Sequence, residues 1–82
     1  MIETYWGNPV TLIEGPGEQS KTITTVEQAL FRLGKRWPDR RGPKHRRAVD
    51  YARAACECLT APGAARQAFI DAAEEAGLRL VA

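Results

Sequence analysis

Lys21-Thr22-Ile23-Thr24-Thr25-Val26-Glu27-Gln28-Ala29-Leu30-Phe31-Arg32-Leu33-Gly34-Lys35-Arg36-Trp37-Pro38 changes period partway along its length. Lys21, Thr22 and Ile23 have the β-type composition of a strand. From there Val26, Ala29, Leu30, Leu33 and Trp37 recur at helical spacing and make an apolar stripe. Between the two, Thr24-Thr25-Val26-Glu27 fits a capping box. Thr24 is expected to satisfy an orphan backbone N–H, with Glu27 reaching back. The helix must end near Arg36, because Pro38 disfavours the α region for Trp37 and cannot continue the ladder. The stripe is wide enough to cover a small sheet, and Trp37 is expected to anchor the junction between this helix and that sheet.

Upstream, Pro9-Val10-Thr11-Leu12-Ile13 is rich in β-branched residues and follows Tyr5-Trp6, so it reads as a strand. Gly15-Pro16-Gly17 favours turn dihedrals, which makes a hairpin with Lys21–Ile23 the economical reading. Val10 and Leu12 share one face, Thr11 and Ile13 the other. Downstream, 38–42 reads as a loop and Pro43 suits the first turn of a second helix. That helix carries Ala48, Tyr51, Ala52, Ala55 and Leu59 inward and stops before Pro62-Gly63. A third runs from about Ala64 to Ala76, with Ala65, Phe69, Ala72, Ala73 and Ala76 inward, and Gly77 placed for a left-handed cap. Leu78 to Val81 has strand composition and is read as a third strand beside the hairpin. The order is β-β-α-α-α-β, an α+β fold in which a small antiparallel sheet packs on three helices.

Eighty-two residues predict a single domain, 1–82, that buries about 60–65% of its unfolded surface and holds a net stability of ~3–5 kcal/mol. A hydrophobic share of 44% with 27% charged residues argues against disorder. No apolar run approaches the roughly 20 residues that span a bilayer, so no membrane partner is expected. Met1 to Trp6 contains Glu3 and no basic segment, so no secretory signal is read. Two cysteines cannot build a disulfide framework. A cytoplasmic, soluble protein is the expectation.

Several features recur together: Trp6 with Pro9-Val10, Ile23 to Thr25, Trp37-Pro38, and Ala65-Arg66-Gln67-Ala68-Phe69 through Ala76-Gly77. In this order and spacing they resemble the Domain of Unknown Function 982 family, small proteins of rhizobia and their relatives. The resemblance runs from Trp6 to about Leu80. It implies a compact domain and no assigned activity, so no catalytic residue is carried over from it.

The chemistry-bearing residues do not assemble into a reaction centre. Cys56 and Cys58, two apart on a helix, point roughly 200° apart and cannot converge on a metal. One is read as a small buried hydrophobe and the other as a free thiol. His45, the lone histidine, lies eleven positions from Cys56, or ~16 Å along a continuous helix, which excludes a Cys–His pair. No nucleophile elbow, P-loop or dinucleotide fingerprint is present. The Gly15-Pro16-Gly17 turn lies between strands rather than before a helix, so it is no phosphate cradle. Asp71, Glu74 and Glu75 read as solvated surface. Neither an enzyme nor a metal or cofactor is expected.

Charge is unevenly spread. Residues 1–31 carry a net −3, residues 32–53 a net +7, and the remainder −2. Lys35, Arg36, Arg40, Arg41, Lys44, Arg46 and Arg47 form a basic stretch able to meet phosphates by charge. Lys44, Arg46 and Arg47 stand at a helix N-terminus, where cations are mildly unfavourable, so an anionic partner would explain them. Phe31 and Ile70 fall off their helices' inward stripes and suggest a contact with a second chain. Two readings follow. One is a small binding or protein-interaction domain without catalysis, self-associating through Phe31 and Ile70. The other is a nucleic-acid or polyanion-associated protein using residues 32–53.

Overall fold

The structure is a computed structural model that describes residues 4–14, 19–35, 37 and 42–82. Its elements are β1 (Tyr5–Glu14), β2 (Gln19–Thr25), α1 (Val26–Lys35), α2 (Pro43–Cys56), α3 (Pro62–Glu75) and β3 (Arg79–Val81). The strands form one antiparallel sheet in the order β2-β1-β3. This is the predicted β-β-α-α-α-β order, with the C-terminal tail as the third strand. The Gly15-Pro16-Gly17 turn and the 38–41 part of the loop lie outside the described residues.

Strand alternation places the core. Val10 and Leu12 are fully buried against the helices, while Thr11 and Thr22 face each other on the open side, Oγ1 to Oγ1 at 3.2 Å. β1 starts earlier than its β-branched run because a bulge carries it through Pro9. The register jumps from Tyr5↔Thr25 to Val10↔Ile23, and Gly7 takes φ +99° within the jump. Arg66 Nε of α3 donates to the Asn8 carbonyl in the same irregular stretch at 2.8 Å.

The cap of α1 sits one residue later than expected. Gln28 N–H donates to Thr25 Oγ1 at 3.1 Å, and Gln28 Oε1 accepts the Thr24 N–H at 2.8 Å. Thr25 is the last residue of β2 and points its side chain into the core. Its hydroxyl therefore accepts the helix backbone N–H, while the Thr24 hydroxyl donates to the Gln28 side chain at 3.2 Å. Glu27 takes a different partner, the Thr4 N–H at 2.8 Å, and Val26 N–H donates to Thr4 O at 2.8 Å.

Phe69, fully buried on α3, sits at the centre of the aromatic core. Its ring lies 5.4 Å from Trp6 and 5.5 Å from Trp37, and Trp37 lies 5.6 Å from His45. Trp37 is thus a core residue, but it ties the exit of α1 to α2 and α3. Trp6 holds the hairpin instead, donating from Nε1 to the Ile23 carbonyl at 3.2 Å. The alanine faces of α2 and α3 pack together around Ala48, Ala52, Ala55, Ala65, Ala68 and Ala72.

α2 ends at Cys56, earlier than predicted. Leu59 N–H donates to Ala54 O at 2.8 Å and Cys58 N–H to Ala55 O at 3.1 Å, with Cys58 at φ 60°. This is the left-handed helix stop usually given to glycine. It turns Leu59 outward, 74% exposed, where an inward position was expected. α3 begins at Pro62 and ends in the same motif, with Gly77 at φ 78° and Leu78 N–H on Ala73 O. Both cysteines are exposed, so neither fills the core.

Candidate functional site

Four of the seven residues of the basic stretch fall among the described residues. Lys35, Lys44, Arg46 and Arg47 are exposed, while Arg36, Arg40 and Arg41 lie outside the described residues. Arg32 is buried on the β2 flank of α1 and so leaves the cationic surface. Arg47 lies 5.4 Å from the Tyr51 ring centre, a cation–π arrangement. Arg46, Asp50 and Arg53 stand one turn apart on the outward side of α2, so a carboxylate separates the two cations.

The N-terminus of α2 already has its anion. Glu75, at the end of α3, accepts the N–H groups of His45 and Lys44, each at 3.3 Å. Gly42 permits this, since a Cβ there would lie 2.7 Å from the Glu75 carboxylate oxygen. Glu75 was expected to be solvated surface. In fact it caps a helix 30 positions away in sequence, and it offsets the charge that Lys44 and Arg46 bring to the positive end of the dipole.

Glu27, Cys56 and His45 are likewise occupied. Partial burial alone would raise the Glu27 carboxyl. The hydrogen bonds it accepts, chiefly from the Thr4 backbone and also from Cys56, outweigh this and hold it below its ordinary value. Burial pushes the Cys56 thiol up, and the neighbouring Glu27 and Glu57 carboxylates add to it. Such a thiol holds little thiolate at neutral pH and is a poor nucleophile. His45 Nε2 contacts the Leu33 carbonyl at 2.8 Å, three turns of α2 from Cys56. Among the described residues no three His, Cys, Asp or Glu side chains gather as a metal site, and no helix is long and apolar enough to cross a membrane.

What stands open is a groove of about 400 Å³ between β2 and α1, lined by Lys21, Thr22, Ile23, Gln28, Phe31 and Arg32. Gln28, Phe31 and Arg32 fall on one flank of α1 because they sit within four residues of each other. Lys21 and Ile23 share the helix-facing side of β2 by alternation. Phe31 is 63% exposed at this groove, whereas Ile70 packs against the core and is half-buried. The two residues expected to make one self-association surface therefore differ, and Ile70 does not line the groove. The sequence singled out Phe31. It offered no signal for Lys21 and Gln28, because nothing in it says which hairpin strand becomes the sheet edge.

A second hollow of about 270 Å³ lies between α2 and α3 beside Arg47, Tyr51, Gln67 and Asp71. Its polar groups are engaged with one another, Arg47 over Tyr51 and Gln67 Nε2 on Asp71 at 3.0 Å. No curated protein and no solved structure matches the chain. The family defined as a protein of unknown function (DUF982) matches it over residues 8–80, which takes in every helix and strand apart from the first residues of β1 and the last of β3. The chain belongs to the DUF982 family.

Proposed function

We propose that this chain is a small cytoplasmic binding domain without catalysis, which takes a protein partner in the groove between β2 and α1. One observation carries the reading: an aromatic side chain, Phe31, stands 63% exposed at a largely apolar groove beside an edge strand. Exposed aromatics beside a concave apolar surface are the usual anchors of interfaces. The absence of catalysis is supported by the raised Cys56 thiol and by the contact of His45 with Leu33. The polyanion reading draws on exposed Lys35, Lys44, Arg46 and Arg47. It is the weaker, because Arg32 is buried and Glu75 already meets the α2 N-terminus.

Panning random displayed peptides on the wild-type protein, and then measuring each recovered peptide on wild type and on Phe31→Asp, tests the proposal. The expected result is a set of peptides whose binding needs Phe31 and whose addition shifts the amide resonances of β2 and α1. Peptides that bind Phe31→Asp equally well, or that shift only the outer face of α2, would refute it.

A further inference from the structure

The groove borders a strand edge with a definite end. β2 pairs with β1 on one side only. The Thr24 N–H goes to Gln28 Oε1 at 2.8 Å rather than to β1, so it points to the outer edge. Alternation then directs the N–H and C=O groups of Ser20 and Thr22 to the same edge. Gln28 thus closes the edge at Thr24 and leaves the stretch from Ser20 to Thr22 open, directly beside the groove.

The groove also has a sign. Among the described residues its lining holds the exposed Lys21 and no carboxylate. Lys35 stands exposed on the same flank of α1, one turn beyond Phe31 and Arg32. Glu27 is turned the other way, toward Thr4 and Cys56. A second copy docking here by pairing β2 with β2 would bring Lys21 of both copies to one seam, which like-charge repulsion opposes.

Resting on the groove reading above, we propose that the occupant is an acidic peptide in extended conformation, added to β2 as a fourth strand. Main-chain hydrogen bonds to Ser20 and Thr22 hold it, and alternate side chains enter the groove. In this register an apolar residue lies against Ile23 and Phe31. The residue two positions away lies opposite Lys21 and is Asp or Glu. The recognised pattern is therefore apolar-x-acidic, with small polar residues on the other face beside Ser20, Thr22 and Thr24.

The test uses the capped peptide acetyl-Thr-Ile-Thr-Glu-Thr-amide, its Glu→Lys counterpart, and a form N-methylated on the backbone of its two outer threonines and its central threonine. Amide NMR titration should show the Glu peptide shifting Ser20, Thr22, Ile23 and Phe31. The Lys peptide should bind about two- to fivefold more weakly, and Lys21→Glu should invert that preference. In antiparallel pairing the three threonines lie opposite the outward-pointing Ser20, Thr22 and Thr24 and supply the N–H donors to the strand edge, so the methylated form should lose about tenfold or more. Equal binding of the methylated form, or no inversion with Lys21→Glu, would overturn strand addition while the groove reading stood. Shifts confined to another surface would overturn both. A dimer in sedimentation equilibrium that dissociates on Thr22→Pro would assign the edge to a second copy and overturn the acidic-peptide proposal. Absence of binding by all three peptides at millimolar concentration would overturn it as well, leaving the panned peptides to judge the groove.

Discussion

The two flanks of α1 are finished in opposite ways. On the side of Glu27, polar groups close on one another. The carboxylate takes the Thr4 N–H and the Cys56 thiol, and the Thr4 carbonyl takes the Val26 N–H. Beyond it, Glu75 caps α2 through the gap that Gly42 leaves. On the side of Gln28, its Oε1 accepts the Thr24 N–H and hydroxyl and ends the sheet edge, and an aromatic ring stands open over a groove. Both flanks belong to one ten-residue helix. The contrast teaches that the exposed ring is not a sign of a poorly closed fold, since the same helix is closed with care one face away. The first flank serves stability, and the second carries the surface proposed for recognition.

Variants can break that division. The largest effect is expected from Trp37→Ala, which empties the site between Phe69 and His45 at the exit of α1. A loss of about 3–5 kcal/mol approaches the whole stability of so small a domain, so its thermal melt should lose cooperativity. Next comes Gly42→Ala, whose methyl group displaces the Glu75 carboxylate from the α2 N-terminus. Loss of the cap costs about 1 kcal/mol, and Glu75→Ala should add little in the double variant, because both remove one interaction. Denaturant melts of the two single variants and the double variant measure the coupling.

Cys58→Gly should go the other way. A residue other than glycine in the left-handed region costs on the order of 1 kcal/mol, so the midpoint of unfolding should rise. Glu27 sharpens the comparison through pH. Its folded carboxyl lies below the ordinary 4.5, so its contribution is fully present above that value and is lost as pH falls through the lowered one. Stability of the wild type should decline over that acid range more steeply than that of Glu27→Gln. The smallest effect on stability is expected from Phe31→Ala. A side chain 63% exposed adds little to the fold, and its melt should stay within about 0.5 kcal/mol of wild type.

Much of this architecture was legible because it obeys local rules. The strand-to-helix change of period at Thr24–Val26, the alanine stripe of α3 and the glycine at position 77 each name their structure from neighbours a few residues away. The misreadings share one cause, which is a partner distant in sequence or a backbone state without its usual residue. Cys58 stops α2 in a conformation that glycine would have advertised, so Leu59 was placed inward. Glu75 caps a helix 30 positions upstream, so it read as solvated surface and the cations of α2 seemed to lack a counter-charge. Trp37 reads as an anchor between α1 and the sheet because its sequence neighbours are Leu33 and Pro38, whereas Phe69 and His45 are its partners in space. Phe31 was found by its position off the apolar stripe. The groove beside it depends on which strand forms the sheet edge, and that is a property of topology.

Calorimetric titration of a panned peptide into wild type, Phe31→Ala and the double variant Arg46→Ala/Arg53→Ala tests the central claim most directly, with thermal melts recorded on the same samples. The account predicts that Phe31→Ala loses at least about tenfold in affinity while melting as wild type does, and that the arginine variant keeps its affinity. Retained affinity in Phe31→Ala with loss in the arginine variant would contradict it and move the binding surface to the outer face of α2.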